Sequence, residues 1–574
     1  MTGTQAADDL DRAWWKEAVI YQIYPWSFND TDGDGIGDLA GILERLDYLE
    51  SLGVDVVWLN PVYESPGVDN GYDISNYRAI HDRFGSMDDW ERLLAELHDR
   101  DVRLVMDLAV NHTSDEHHWF RESRRNPDGR LGDYYIWEAG TPATGATDSP
   151  GPIDRRPPNN WESHFGGSAW AWDDERGEYY LHLYHERQPD LNWANPAVRE
   201  EIHELMEWWL EKGIDGFRLD VINLISKPAD LPDGNPRFDW VGREHFVNGP
   251  HVREYLAELD ERVFSRYDAL AIGEMPEVSI QQAMTYAGPD GPLDMVFNFD
   301  HMRLDFGESG RWTVGDWSLP DLKALLSAWQ AGLADGGWPT LFFENHDQPR
   351  VVSRFGDDER FRHESATMLA TLLLTLRGTP FVYQGQELGM TNCPFESLDA
   401  LRDVDTIQNV KRLMAERGIT DYSEVRDLVE HRTRDNARTP MQWTDGEHAG
   451  FTDGDPWLPA NPNHEVINVE RQRANPASVL NYYRRLIELR TGSDVLVYGE
   501  YELLLPNHED IYAYTRRLDH ECLLVVLNFD DEYTTVGLPE LHADAGLVLA
   551  NYDDVPTAPD RLDLRPFEAR IYRL

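Results

Sequence analysis

Cysteine is almost absent: Cys393 and Cys522 are the only two in 574 residues. They show neither metal-ligand spacing nor a disulfide framework, so both read as free, buried thiols. Lysine is nearly as scarce, with Lys16, Lys212, Lys227, Lys323 and Lys411 the whole set; the remaining basic residues are arginine. No apolar run reaches membrane-spanning length, and even Leu372–Val382 is broken by Arg377 and Pro380. The opening MTGTQAADDL has neither the basic nor the apolar region of a signal peptide. These absences predict a cytoplasmic protein with no membrane partner.

Positive charge is outweighed throughout. Against 105 acidic residues stand 52 basic ones, a formal net charge of −53. Such a field repels nucleic acid and anionic lipid. The acids are spread along the whole chain instead of forming one tail, which reads as a solvated acidic shell and predicts adaptation to concentrated salt. At molar salt the Debye length falls to about 3 Å and self-repulsion is largely screened.

What is present is core material: 41% apolar and 11% aromatic residues, in a length that suggests two to four domains. Eight apolar segments read as strands: 19–28, 54–60, 103–111, 216–221, 269–275, 295–300, 339–345 and 379–384. Helical periodicity lies between most of them. One helix runs from Leu39 to near Gly53; another starts at a Ser86/Asp89 capping box; a third starts at Asn195-Pro196 and stops at Gly213. Alternating β and α at this length predicts an α/β fold, a parallel (β/α)8 TIM barrel. The connection after strand 3 is long, rich in Gly, Pro, Trp and Asp and poor in helical periodicity. It predicts an inserted domain over 112–181, leaving 1–111 and 182–491 for the catalytic barrel. An irregular insertion over 391–457 follows strand 8. From 492 to 574 the period becomes two, predicting a C-terminal antiparallel β-sandwich domain.

After strand 1 comes Asp30-Thr-Asp-Gly-Asp-Gly-Ile-Gly-Asp38. Asp30, Asp32, Asp34 and Asp38, with the Ile36 carbonyl, have the oxygen-ligand spacing of a Ca²⁺ loop. The twelfth position is Gly41 and not Glu, so this is no EF-hand. A structural Ca²⁺ (or Mg²⁺) is expected there, and no organic cofactor.

In a barrel of this kind chemistry collects at the C-terminal strand ends. Those ends offer Asp69, Tyr72 and Asp73 after strand 2, Asp107, Asn111 and His112 at strand 3, and Arg218 and Asp220 at strand 4. Strand 5 gives Glu274, and strand 7 gives His346, Asp347 and Arg350. An isolated Asp or His is more often structural, but carboxylates at three strand ends flanked by His and Arg are costly to bury unless used or paired. Two carboxylates facing a cleft suit retaining glycoside cleavage, one as nucleophile and one as proton donor. The apolar setting of Glu274, Leu270-Ala-Ile-Gly-Glu-Met-Pro276, suits it to the second task.

Asp107-Leu-Ala-Val-Asn-His112, Gly216-Phe-Arg-Leu-Asp220, Gly273-Glu274 and Glu344-Asn-His-Asp-Gln-Pro-Arg350 resemble, in order, the signature regions of the α-amylase superfamily, glycoside hydrolase family 13. The resemblance implies Asp220 as nucleophile, Glu274 as general acid/base and Asp347 as transition-state stabiliser. It implies substrate binding by Asp69, Tyr72, His112, Arg218, His346 and Arg438. Gln188-Pro-Asp-Leu-Asn192, Asp69-Asn-Gly-Tyr-Asp-Ile74 and Arg438-Thr-Pro-Met-Gln-Trp443 resemble the oligo-1,6-glucosidase subfamily, and the cation loop is similar to that subfamily's Ca²⁺ or Mg²⁺ site. This implies an exo-acting α-glucosidase on short oligosaccharides, α-1,4 and/or α-1,6 linked, working as a monomer or small homo-oligomer. Val221 after the nucleophile matches members that cleave α-1,6 links. The alternative is a transglycosylase, sucrose isomerase or trehalose synthase; the stretch 298–305 matches the isomerase loop poorly. A non-catalytic transporter subunit needs a membrane span and tolerates loss of the carboxylates, whereas this sequence has no span and keeps all three.

Overall fold

A computed structural model describes residues 10–142, 155–308, 310–539, 545–555 and 561–574. Its centre is the expected eight-stranded parallel barrel. Barrel strands 1 to 8 are Ile20–Ile23, Val56–Leu59, Arg103–Ala109, Gly216–Asp220, Leu270–Glu274, Met295–Phe297, Thr340–Leu341 and Thr379–Tyr383. Their order in the sheet is 6-5-4-3-2-1-8-7, and every pairing is parallel. The ring closes between strands 6 and 7 through a single parallel bridge, Val296 to Pro339.

The β-branched and aromatic runs that signal these strands extend further than the pairing does. Strand 1 stops at Ile23, before Pro25 opens a short 3₁₀ turn to Ser27, so the expected strand to Phe28 is too long. Strands 6 and 7 are likewise shorter than the apolar runs that contain them. Strand 4 ends at Asp220, and Val221 turns into the left-handed region at φ 39° and ψ 40°.

Helix caps follow the sequence closely. Ser86 and Asp89 form the reciprocal capping box of helix Met87–His98, and the Asn195 side chain accepts from Ala197 N at the start of helix Pro196–Glu211. The helix expected from Leu39 to Gly53 is broken at Arg45 (φ −106°, ψ 8°) into Leu39–Glu44 and Leu46–Leu52. Gly53 then takes the positive φ, 85°, that ends it.

The segment after strand 3 carries helix His118–Arg125, which its composition does not announce, and a three-stranded antiparallel sheet of Trp137–Glu138, Glu178–Leu181 and Trp170–Asp173. A cluster of Trp161, Trp170 and Tyr179 packs on Val221, Leu224, Trp240 and Phe246, so this segment rests on the loop that follows strand 4. The stretch after strand 8 is less irregular than its sequence suggests, with helices Val404–Arg417 and Arg426–Arg432. The C-terminal part is an antiparallel five-stranded sheet with a two-stranded companion. Both cysteines are free and buried. Among the described residues no helix is long and apolar enough to cross a membrane.

Candidate active site

The register of strand 4 places Arg218 opposite Asp107 of strand 3. From there its guanidinium serves three carboxylates. Nη1 donates to Asp107 Oδ1 and Asp220 Oδ1, both at 2.7 Å, and Nη2 lies 2.8 Å from Glu274 Oε2. Arg218 is 1% exposed, so these are charge-assisted contacts with little solvent screening. The Val221 N–H adds a second donor to Glu274 Oε2 at 3.0 Å. Burial pushes the Asp220 carboxyl well above the usual carboxylate range, with the Glu274 charge next in importance and Arg218 opposing both. Oε1 of Glu274 and Oδ2 of Asp220 receive no hydrogen bond among the described residues, which leaves each carboxyl group one oxygen for chemistry.

Asp347 approaches from strand 7. Arg438 Nη2 donates to its Oδ1 at 2.6 Å and Arg434 Nη1 at 3.1 Å. Burial alone raises its pKa, but neighbouring cationic groups hold it well below the usual range. His346 lies 3.4 Å away, yet burial pushes that imidazole down to about 3, so it is neutral near pH 7 and the arginines keep Asp347 ionised. Tyr72 stacks on His346 with ring centroids 5.4 Å apart, and its hydroxyl bridges His346 Nε2 at 2.7 Å and Asp107 Oδ2 at 2.8 Å.

Asp69 accepts from Gln188 Nε2 at 3.1 Å, and the same amide reaches His112 Nε2 at 3.2 Å. Arg434 Nη2 lies 3.4 Å from Asp69 Oδ1, so this arginine ties Asp69 to Asp347. A cavity of about 310 Å³ is lined by Asp69, Tyr72, His112, Asp220, Glu274 and Asp347 together. Arg218, His346 and Arg438 do not line it; they stand behind it, 0–1% exposed, bonded to the groups that do. Sequence alone gives no role to Arg434, which lines the cavity, or to Asp107, which sits behind Arg218. Asp107 is at least marked by its strand end. Arg434 lies in the insertion after strand 8, where nothing local distinguishes it from other arginines.

Residues 22–499 match the family described as "Alpha amylase, catalytic domain", and 501–571 match "Maltogenic Amylase, C-terminal domain". The chain belongs to the alpha-amylase family. This alpha-amylase-family chain is 51% identical to the oligo-1,6-glucosidase of Parageobacillus thermoglucosidasius, over 98% of this chain and 100% of that one. Among solved structures it is similar to the trehalose-6-phosphate hydrolase of Bacillus licheniformis (TM-score 0.90, 45% identity) and the isomaltulose synthase of Klebsiella sp. LX3 (TM-score 0.92, 42% identity). Each match covers 98% of this chain and 100% of the other. A glycoside hydrolase barrel thus carries the cluster.

In this alpha-amylase-family barrel the acidic loop after strand 1 brings oxygens of Asp30, Asp32 and Asp38 within 4.8 Å of one another. Asp34 is outside that group; its Oδ1 accepts from Ile36 N at 2.8 Å. Asp30 accepts from the N–H groups of Asp32, Gly33 and Gly35, and Asp38 from those of Thr31 and Gly41. Burial raises the Asp38 carboxyl above the usual range against the hydrogen bonds from Thr31 and Gly41, with a smaller push from the Asp30 charge. Hard oxygen donors that repel one another fit a Ca²⁺ or Mg²⁺ ion.

Proposed function

We propose that this protein is a retaining, exo-acting α-glucosidase that releases terminal non-reducing glucose from short α-linked oligosaccharides. Asp220 attacks the anomeric carbon, Glu274 protonates the leaving oxygen and then activates water, and Asp347 stabilises the oxocarbenium-like transition state. The observation that carries the reading is the single guanidinium of Arg218 shared by Asp220 and Glu274. Carboxylates held by two nitrogens of one guanidinium are near neighbours. That favours the retaining separation of about 5–5.5 Å over the 6.5–9.5 Å or so that leaves room for an inverting enzyme's water.

Exo action is read from the likeness to oligo-1,6-glucosidases; the Asp69–Arg434–Asp347 bridge joins two carboxylates that line the cavity. Asp69, Tyr72 and His112 line that space for the ring's hydroxyls; Arg218, His346 and Arg438 act by orienting and charging the residues in front of them. In the loop after strand 1 the converging Asp30, Asp32 and Asp38, with the Ile36 carbonyl as a further expected ligand, would hold a Ca²⁺ or Mg²⁺ that stiffens it; Asp34, also expected, stands outside the converging group.

The test is a panel of maltose, isomaltose, sucrose and trehalose, followed for released glucose, with Asp220→Asn and Glu274→Gln beside the wild type. Released glucose, and not isomerised disaccharide, is the expected product. Near wild-type hydrolysis in either variant overturns the roles of the two carboxylates.

A further inference from the structure

Three residues beyond Glu274 stands Glu277, with a backbone φ of 58°. A non-glycine residue in the left-handed region is held against its steric preference, a pattern that gathers at functional sites. The Glu277 side chain lines the cavity, and its Oε1 accepts from Arg243 Nη1 at 2.7 Å and from Arg303 Nη1 at 3.2 Å. Arg243, from the segment after strand 4, also donates to Asp239 Oδ1 at 2.8 Å. Arg303 follows strand 6, and Glu277 is its one carboxylate partner among the described residues.

This inference rests on Glu274 acting as the proton donor. If Glu274 delivers its proton to the leaving group, the residues beside it at the mouth face the leaving sugar. We propose that Glu277 determines the charge of the leaving group this site accepts, admitting uncharged glycosides and rejecting phosphorylated ones. Together with Asp239 its carboxylate balances the charges of Arg243 and Arg303, and a phosphate brought to those arginines meets Glu277 at contact distance, a like-charge juxtaposition. Two other arginines that line the cavity are also engaged. Arg311 is held by Asp405 at 2.6 Å, and Arg412 donates to Asn409 Oδ1 at 2.8 Å with the Glu162 charge close by.

The experiment compares kcat/KM for an aryl α-glucoside and for the same glucoside with a phosphate on the aryl ring, under one fixed salt condition. Wild type is expected to prefer the uncharged substrate. Glu277→Gln leaves Arg303 without a counter-charge, and the preference should narrow by at least about 10-fold, the low end of the effect of removing a like charge at contact. Glu277→Gln combined with Arg303→Gln should restore most of the discrimination. Using the ratio within each variant removes any general loss of activity. An unchanged ratio in an active Glu277→Gln enzyme overturns this inference alone, as does a narrowing that survives in the double variant. Wild-type protein that cleaves neither substrate overturns the parent reading together with this one.

Discussion

The main-chain N–H of Val221 donates to Glu274 Oε2 at 3.0 Å from a backbone at φ 39° and ψ 40°. A β-branched residue in that region costs roughly 1–3 kcal/mol and persists only where its surroundings fix it. The turn it makes couples the end of strand 4, with Asp220, directly to the carboxylate of strand 5.

Because Val221 N and Arg218 Nη2 both engage Oε2 of Glu274, Glu274→Gln retains an acceptor for them and should keep the fold. Its activity should depend on the leaving group. On isomaltose or maltose, which need a proton for departure, kcat/KM should fall roughly 10²–10⁴-fold. On 4-nitrophenyl α-glucoside, whose leaving group is a good one, the glycosylation step should fall far less. Equal losses on both substrates count against Glu274 as the proton donor.

The dependence of kcat/KM on pH should be bell-shaped. The proposed roles require it: protonating the nucleophile removes activity at low pH, and loss of the proton from the general acid removes it at high pH. Asp347 lies well below the usual carboxylate range and stays ionised across the working span. Arg438→Met removes its 2.6 Å partner, so its pKa should rise and the acid limb should move to higher pH. The stability sign agrees: a depressed carboxylate stabilises the fold above about pH 4 and loses that contribution as pH falls toward its folded pKa, so the variant's acid unfolding should start at higher pH. Coincident profiles for wild type and variant would remove the charge argument.

Removal of the divalent ion proposed for the loop after strand 1 should lower the melting temperature. An ion at 100 times its Kd contributes about 2.7 kcal/mol. Asp32 is exposed, so Asp32→Asn tests the ligand set without disturbing the core. The expected result is a drop on chelation in wild type and a much smaller one in Asp32→Asn. A wild-type protein indifferent to chelator disposes of the cation.

A chain carrying a formal −53 should gain stability from screening. Melting curves taken from low to molar NaCl should rise. A flat or falling series argues that the acidic surface is no adaptation to salt.

All eight barrel strands are legible in the sequence because buried parallel strands read as near-continuous apolar runs, and their ends mark Asp220, Glu274 and Asp347. Helix starts are legible where the cap is chemical and local, as at Ser86 and Asn195. The break at Arg45 is hidden inside an uninterrupted apolar stripe. The left-handed turn at Val221 carries no signal either, since valine favours the strand it terminates. Arg434, Arg303 and Glu277 escape notice for a different reason. Their meaning lies in partners 26 to 365 residues away, and a single guanidinium or carboxylate gives no local sign of such a partner. Sequence marks the strands of a barrel well and the rim where loops meet poorly.

The barrel is knit unevenly: among the described residues strand 7 pairs through Thr340 and Leu341 with strand 8, and is joined to strand 6 by the single Val296–Pro339 backbone bridge and the Thr340 hydroxyl on the Val296 carbonyl. Asp347 lies in the turn that follows that short strand. On warming, the seam should loosen before the rest of the cylinder, so the enzyme should fall silent while its circular dichroism still looks native. Amide exchange at Phe342 and Phe343 should give the earliest warning.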